Sequence, residues 1–373
     1  MPVLRCSLAG LAASLALTLP TTLCAQSPTK DSVYLTDGTR LRVEVTAATV
    51  AQVTYNQDGA EATVEATRVA RIDWHEPPDA YLLAQSQEQQ GKFDEAANQY
   101  SEAADKSDRQ PVREDAQFRA ARAQALAGVG DVAKAAGAEK ALRELLGATP
   151  ESFHAREARL LLGRTLRDQD KAGDAVTHLA EMASTARTDA WGPMWEARIQ
   201  LEHGASQLAA GDAGGARSAF ESAVSLVEGQ DDNALAMGLH VRAIVGQGET
   251  WLVEGKAADA LSFFRRYSGT GSGDAGALRA AALTGEGQAL LANAGDDLGG
   301  LRQAQTALAQ AQVLDPGTQE TSAKAMYLSG KVLLALGERE RDARRRALAY
   351  FDSVVALFPA TRWAAEARTE LGQ

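Results

Sequence analysis

The sequence predicts a mainly α-helical fold: a right-handed α-solenoid of about seven helical hairpins plus a C-terminal capping helix, preceded by a small five-stranded β-domain. Three observations predict it. The 373 residues are 45% apolar but only 5% aromatic, which suits helices that pack closely through small side chains. Apolar and polar residues alternate in the segment 31–74, as in half-buried strands. From residue 79 onwards small residues recur about every 40 positions, which indicates stacked copies of one unit.

The first 25 residues are typical of a secretory signal peptide. Arg5 supplies a positive charge, residues 8–19 form an apolar run, and Leu23-Cys24-Ala25 is an acceptable cleavage site. The run is shorter than the roughly 20 residues that span a membrane. We therefore expect residues 1–25 to be removed and the protein to be exported to the periplasm or cell envelope.

Both cysteines, Cys6 and Cys24, lie inside this segment, so the mature chain is expected to have no disulfide and no cysteine metal ligand. Cys24 leaves open a lipid anchor at the mature N-terminus. The lipoprotein signal has a small residue before the cysteine, and Leu23 stands there instead, so the sequence does not favour an anchor. No later apolar run reaches membrane length, so we expect no integral membrane span after cleavage.

Residues 26–76 are predicted to form a small β-barrel-like domain. Leu41, Val43 and Val45 alternate with polar residues, as in a strand with one buried face. The dipeptides 37–38 and 58–59 are both Asp-Gly, which closes tight hairpins. Five short strands in about 45 residues can curl into a barrel that hides both sheet edges.

In its turn placement this segment resembles the small Src-homology-like and Sm-like β-barrels. The resemblance implies binding of peptides, RNA or glycans, or simple packing against the next domain. Its aromatic residues Tyr34, Tyr55 and Trp74 are too few and too scattered to define a binding groove. Packing or oligomerisation is therefore the favoured role, and Pro77-Pro78 marks the predicted domain boundary.

Residues 79–371 are predicted to form the helical array. Each of the first five units has a small residue, a turn residue seven later and an alanine five after that. These triplets are Ala84, Gly91 and Ala96; Ala123, Gly130 and Ala135; Gly163, Asp170 and Ala175; Gly204, Gly211 and Ala216; and Gly248, Gly255 and Ala260. The small residue lets two helices touch, the turn residue accepts a left-handed conformation, and the alanine faces the first helix.

This spacing, with a bulky residue such as Tyr100 or Phe220 four positions after the alanine, resembles the tetratricopeptide repeat (TPR). The period near 40 exceeds the 34 residues typical of that family, so the extra residues are expected in second-helix ends and inter-hairpin loops. HEAT-like and armadillo-like repeats have a natural period of this size, but they lack the internal spacing. The TPR interpretation is therefore favoured over them.

The last two units, which begin at Gly287 and Gly330, differ from the first five. In both, the alanine follows the small residue after 17 positions instead of 12, which predicts the same five-residue turn expansion in each. The segment after Pro359 is predicted to be an amphipathic helix that caps the final hairpin.

No catalytic, metal or cofactor site is predicted. The five histidines show no ligand spacing. Residues 271–276 match GxGxxG, but a helix rather than a buried strand precedes them, so they are interpreted as a linker between hairpins. The formal charge of −11 does not favour a nucleic-acid partner, because phosphate binding needs a net basic face. We expect a protein that is not an enzyme.

The TPR resemblance implies a concave groove lined by the first helices, in which a protein or peptide partner binds. By position, the candidate groove residues are Gln85, Glu88, Arg164, Arg167, Glu249 and Lys331. Arg164 and Arg167 are the predicted carboxylate contacts. The predicted function is a non-enzymatic periplasmic or cell-envelope scaffold. Two alternatives stay open: a cell-wall- or carbohydrate-associated structural protein that binds through its β-domain, and an accessory subunit of an enzyme.

Overall fold

A computed structural model of the chain describes residues 30–230, 233–269, 276–314 and 318–372. The predicted signal peptide lies outside these residues, as do Pro316 and most of the glycine-rich segment 271–276. Within the described ranges, five β-strands are followed by fifteen α-helices. The predicted fold class, a β-domain followed by a helical array, is confirmed.

The N-terminal domain is an antiparallel sheet with the strand order β4-β3-β2-β1-β5. The elements are β1 (Asp31–Leu35), β2 (Arg40–Ala48), β3 (Gln52–Gln57), β4 (Ala60–Glu65), a 3-10 helix (Ala66–Arg68) and β5 (Val69–Asp73). As the alternation predicts, Val43 and Val45 are buried whereas Arg42 and Glu44 are exposed. One apolar core collects the inward side chains of all five strands.

The turn between β3 and β4 has the backbone geometry that its Asp-Gly sequence favours. Asp58 and Gly59 have φ angles of 55° and 90°. Positive φ at both central residues is the geometry of a type I′ turn, whose twist matches that of the flanking strands. The tight hairpin predicted at this dipeptide is therefore present.

The array consists of seven hairpins and a final helix, as predicted. The helices are α1 (Asp79–Gln89), α2 (Phe93–Lys106), α3 (Gln110–Ala127), α4 (Val132–Ala148), α5 (Ala155–Arg167), α6 (Ala172–Thr188), α7 (Pro193–Ala209), α8 (Ala213–Val227), α9 (Ala234–Val253), α10 (Ala257–Ser268), α11 (Gly276–Ala294), α12 (Leu298–Val313), α13 (Gln319–Leu336), α14 (Ala343–Leu357) and α15 (Arg362–Leu371). The odd-numbered helices up to α13 are called first helices, and their even-numbered successors second helices.

Each predicted turn residue of the first five hairpins adopts a left-handed conformation. Gly91, Gly130, Gly211 and Gly255 have φ angles between 73° and 84°, and Asp170 has φ 59°. A short helix-to-helix connection needs this conformation at its end, and glycine adopts it without a steric penalty. The constant spacing in the sequence therefore reflects a constant turn geometry.

In the five units whose small residue is glycine, that glycine lies against the bulky residue of the partner helix. A Cβ atom on Gly163 would lie 2.8 Å from Leu179, and one on Gly330 would lie 2.5 Å from the ring of Phe351. Both separations are shorter than side chains tolerate. The small residues are therefore needed because the two helix backbones approach closely.

The predicted five-residue turn expansion is present but shorter than predicted in the last hairpin, where residues 337–342 intervene, and it is absent from the hairpin before it. Between α13 and α14 a 3-10 helix at Gly337–Arg339 lengthens the connection. Between α11 and α12 only residues 295–297 intervene, as few as the residues 90–92 between α1 and α2. The extra residues lengthen α11 and α12 instead of the loop. The Asp297 side chain fixes the start of α12, since it accepts hydrogen bonds from the backbone N–H groups of Gly299 and Gly300.

The β-domain is docked on the array. The guanidinium of Arg109, at the start of α3, donates to both carboxylate oxygens of Asp31 and, at 3.1 Å, to the carbonyl of Val45. Asp31 is almost fully buried. The backbone N–H of Val50, in the β2–β3 turn, also donates to the carbonyl of Glu151, in the α4–α5 loop, at 2.9 Å. The β-domain therefore packs against α3 and the α4–α5 loop.

Asp115 of α3 stabilises the same interface from inside the array. The buried carboxylate accepts hydrogen bonds from the Trp74 indole at 2.9 Å, from the Tyr81 hydroxyl and from Arg119 at 2.9 Å, and His154 Nε2 lies 2.9 Å away. Burial alone would raise the pKa of Asp115, but His154, Arg119 and Tyr81 hold it well below its ordinary value. A charged Asp115 therefore joins the domain linker, α1, α3 and the α4–α5 loop.

Candidate partner-binding groove

The first helices form the concave side of the array. Consecutive first helices contact each other from α3 to α13, and α15 continues the series. Neighbouring helices lie closest on the inner side of a curved stack, so this layer is the inner one. All six predicted groove residues lie on first helices and are half-buried: Gln85 and Glu88 on α1, Arg164 and Arg167 on α5, Glu249 on α9 and Lys331 on α13.

Arg164 and Arg167 converge on a carboxylate that the sequence analysis missed. Glu202 of α7, whose side chain is only 3% exposed, accepts from Arg164 at 2.6 Å and from Arg167 at 3.2 Å. Arg242 of α9 donates to the same carboxylate at 2.6 Å. We call Glu202 and these three arginines the arginine cluster.

The arginine cluster keeps an excess of positive charge. Burial alone would raise the pKa of Glu202, but the three guanidinium groups hold it well below its ordinary value, so the carboxylate is charged. The one negative charge of Glu202 faces three positive ones. Glu157 and Asp168 also lie near Arg164, and Glu157 is itself paired with Arg198. The arginine side chains remain between 23% and 45% exposed, and a guanidinium carries more N–H donors than these contacts use.

Glu249 belongs to a second group of ion pairs, which reaches the C-terminal helix. It accepts from Lys324 of α13 at 2.7 Å and from Arg362 of α15 at 3.2 Å. Burial alone would raise the pKa of Glu249, but Lys324 and Arg362 lower it to about 2. Arg362 also lies 3.5 Å from Glu320 and stacks on the ring of Trp363. Glu249 is therefore paired within the protein.

The other predicted groove residues lie towards the two ends of the array. Glu88 accepts from the Tyr100 hydroxyl at 2.9 Å and from Arg122 of α3 at 2.6 Å. Lys331 donates to Glu370 of α15 at 2.6 Å. Gln85 lines a cleft of about 470 Å³ together with Glu88. The structure thus places the six residues along one face but gathers only Arg164 and Arg167 at a single point.

The residues that the sequence analysis missed carry a recognisable signal. Arg122 lies 34 residues after its partner Glu88, Glu202 lies 38 after Arg164, and Arg242 lies 40 after Glu202. Each pair therefore joins opposite charges about one repeat apart. Searching the first helices for opposite charges at that separation would have found them.

Other chemistry is limited in the described ranges. No group of three or more histidine, cysteine or acidic side chains there is arranged to hold a metal ion. Of the described helices, none combines the length and the apolar character that crossing a membrane requires. The charged groups that line the concave face instead form ion pairs between different helices of the inner layer, and such groups can also bind a charged partner.

Comparison with known proteins gives likenesses in structure alone. No protein-family model and no curated protein matches the chain. Among solved structures, a Rap protein complexed with Competence and Sporulation Factor is 15% identical, with a TM-score of 0.47 over 79% of this chain and 75% of that one. Yeast Tom70 is 13% identical, with a TM-score of 0.37 over 80% and 65% of the two chains.

The TPR2AB domain of yeast Sti1, solved in a complex with pHSP90, is 11% identical, with a TM-score of 0.26 over 79% of this chain and 95% of that one. The architecture of α1 to α14 is fixed by its own geometry, namely the left-handed turn residue and the close contact of small and bulky residues in successive hairpins. That geometry is a helical-repeat array of paired helices.

Proposed function

We propose that this chain is an exported, non-enzymatic scaffold of the periplasm or cell envelope, and that it binds a protein or peptide partner in the concave groove of its array. The observation that carries the proposal is the arginine cluster on α5, α7 and α9. It combines an excess of positive charge with partly exposed guanidinium groups on the inner face. The groove therefore offers a site for a carboxylate of the partner.

The chemistry of the cluster favours an acidic peptide segment. A guanidinium binds a carboxylate through two parallel hydrogen bonds, which fixes orientation as well as adding affinity. Glu202 holds Arg164, Arg167 and Arg242 in place before a ligand arrives, so less side-chain entropy is lost on binding. An acidic side chain or a C-terminal carboxylate at this point would anchor a longer segment along the first helices.

Export is supported by the N-terminal sequence. The positive Arg5, the apolar residues 8–19 and the small-residue cleavage site follow the pattern of a secretory signal. Cys6 and Cys24 both lie in that segment, so a cleaved chain would carry no thiol into an oxidising compartment. Fractionation of the native host, with the mature N-terminus sequenced, tests this part of the proposal.

A carbohydrate-binding role for the β-domain has less support. Trp74 donates to Asp115 in the domain interface, and Tyr55 is buried in the domain core. The Tyr34 ring has the guanidinium groups of Arg40 and Arg71 within 5.3 Å and 4.0 Å. All three aromatic residues of the domain therefore have partners within the protein, which favours the array as the binding surface.

The test must keep the buried charge of Glu202 balanced. Charge reversal at Arg164 and Arg167 would place carboxylates beside buried Glu202 and so destabilise the fold. The variant to use is Arg164→Gln/Arg167→Gln/Glu202→Gln, which removes the two cations together with the buried anion. Its matched control is Glu202→Gln, which keeps all three arginines.

The measurement is affinity capture from envelope extracts, followed by titration of the captured partner. We expect the triple variant to bind at least about tenfold more weakly, since it loses two charge-assisted contacts. Glu202→Gln keeps all three cations and one acceptor oxygen, so it should bind more tightly than the triple variant. Equal binding by the wild type and the triple variant, with both folded by circular dichroism, would refute the groove assignment.

A further inference from the structure

A cleft lies on the outer side of the array, between two second helices. α4 and α6 both pack against α5 but barely against each other, which leaves an open space above α5. This space has a volume of about 540 Å³ and is also lined by Trp191, from the loop after α6. Clefts that bind small molecules usually have volumes of roughly 300 to 1,000 Å³. We call this space the outer cleft.

The inner wall of the outer cleft is apolar. Leu162 of α5, Met182 of α6 and Trp191 line it and are themselves buried. The Trp191 ring is held by two neighbours, since the Arg156 guanidinium lies 4.8 Å from its centre and the ring of Trp195 lies 6.2 Å away, edge to face. The wall is therefore formed before a ligand arrives, which lowers the entropy lost on binding.

The rim of the outer cleft carries a guanidinium group without a partner. Arg159 of α5 is half-buried, and in the part of the chain that the structure describes its guanidinium takes part in no ion pair or hydrogen bond. Its backbone carbonyl accepts from His178 Nε2 at 2.8 Å, which fixes the imidazole beside it. Arg143 of α4 also lines the cleft and is paired with Glu139 at 2.8 Å. Arg159 is therefore the group that an anion in the cleft would contact.

Two carboxylates near the outer cleft oppose an anion. Glu181 of α6 lines the cleft, is exposed and has no ion pair within the described ranges. Asp189 lies near Arg156 and offsets the charge of that guanidinium. Charges in contact with solvent are screened more strongly than partly buried ones. Half-buried Arg159, beside the apolar wall, should therefore attract an anion more than exposed Glu181 repels it.

We propose that the outer cleft binds a small amphipathic carboxylate, with its apolar body against Leu162, Met182 and Trp191 and its carboxylate paired with Arg159. Burial of the apolar body supplies affinity, and the charge-assisted hydrogen bonds fix the orientation. A stable protein partner covers about 800 Å² on each side, whereas this cleft is confined to a few residues of three helices and one loop. The outer cleft lies on the other side of the array from the arginine cluster, so its ligand is independent of a partner in the groove.

The test compares three probes of equal chain length by isothermal titration calorimetry on the purified chain. Octanoate carries the proposed carboxylate, octanamide is its neutral counterpart and octylammonium carries the opposite charge. We expect octanoate to bind at one site, and octanamide to bind about tenfold more weakly because the charge-assisted contact is lost. Octylammonium should bind more weakly than octanamide. Absence of octanoate binding, or equal affinities for octanoate and octanamide, would overturn the proposal.

Two charge variants should act in opposite directions. Arg159→Gln should weaken octanoate binding about tenfold and leave octanamide binding unchanged. Glu181→Gln removes a repulsion at an exposed position and should strengthen octanoate binding about twofold. The matched control Arg187→Gln makes the same change as Arg159→Gln on α6, at an exposed residue that does not line the cleft, and should bind octanoate like the parent.

A third variant tests the position of the ligand. Thr185→Phe places a ring in the outer cleft from α6 and should weaken binding of octanoate and octanamide alike, with the helices retained by circular dichroism. Full octanoate affinity in this variant or in Arg159→Gln would place the probe elsewhere and refute the site. Weaker octanoate binding by Glu181→Gln would also refute the assignment, because the ligand would then need a positive charge as well.

Discussion

At the scale of single residues, the packing of the two helices in a hairpin depends on glycines in the first helix. Gly204 and Gly248 on first helices face Phe220 and Phe264 on second helices, and the rings fill the space that a Cβ atom would need. Protein interiors are close-packed, so neither ring can retreat without disturbing the next helix. These glycines therefore set the distance between the two helices of a hairpin.

Gly248→Ala is expected to destabilise the array. The ring of Phe264 lies closer to the new Cβ atom than real contacts allow, and overpacking of this kind costs about 1 to 3 kcal/mol. The control is Gly137→Ala in α4, where no atom lies within 4 Å of the new Cβ; it should be neutral or stabilising by up to about 1 kcal/mol. Thermal unfolding measures both. Equal unfolding temperatures would contradict the prediction.

Glu249 predicts an acid dependence of stability. Its pKa falls from 4.5 to about 2 in the folded protein, because Lys324 and Arg362 outweigh the effect of burial. A lowered folded pKa means that the contribution to stability is complete above about pH 4.5 and is lost as the pH falls towards 2. Glu249→Gln should therefore lose less stability than the wild type over that range. Urea titrations at each pH measure the free energy of unfolding. If it fell equally in the wild type and in Glu249→Gln, the prediction would be wrong.

At the scale of elements, the β-domain is held to α3 by a buried ion pair. Removing the guanidinium by Arg109→Ala leaves Asp31, which is 1% exposed, without its cation. The expected cost to docking is about 3 kcal/mol. Hydrogen exchange should then quicken in β1 and β5, whereas Arg68→Ala, at an exposed pair with Asp37, should leave exchange unchanged. Slow exchange in both variants would show that other contacts dock the domain.

Local spacing is what made most elements predictable. Gly91 and Asp170 mark their turns because the left-handed conformation is a property of the turn residue itself. The connection between α11 and α12 was predicted wrongly, because the five extra residues between Gly287 and Ala304 were assigned to a loop. The N-cap at Asp297 shows instead that the helices lengthen. Docking of the β-domain could not be predicted, because the Asp31–Arg109 pair joins residues 78 apart.

The candidate groove was predictable only in part. Position within each unit placed Arg164, Arg167 and the other four residues on the first helices. Their pairing with Glu202 depends on how neighbouring hairpins stack, which a single repeat does not encode. The contact of Arg362 with Glu249 is harder still to predict, because it depends on the combined rotation of the hairpins between α9 and α15.

At the scale of the whole molecule, the inner face combines two features. The arginine cluster offers positive charge at the middle of the array, and α15 brings the C-terminal end back to the first hairpins. A partner in the groove would lie against the first helices and beside α15. The central claim is therefore that the concave face, and not the outer face of the second helices, contacts the partner.

Photo-crosslinking in the native host tests that claim most directly. A photoreactive residue replaces Gln85, on the first helix α1, or, as a control, Lys140, whose side chain is 78% exposed on the second helix α4. We expect a defined adduct with an envelope or periplasmic protein from position 85 and none from position 140. An adduct from position 140 alone, or the same adducts from both positions, would contradict it.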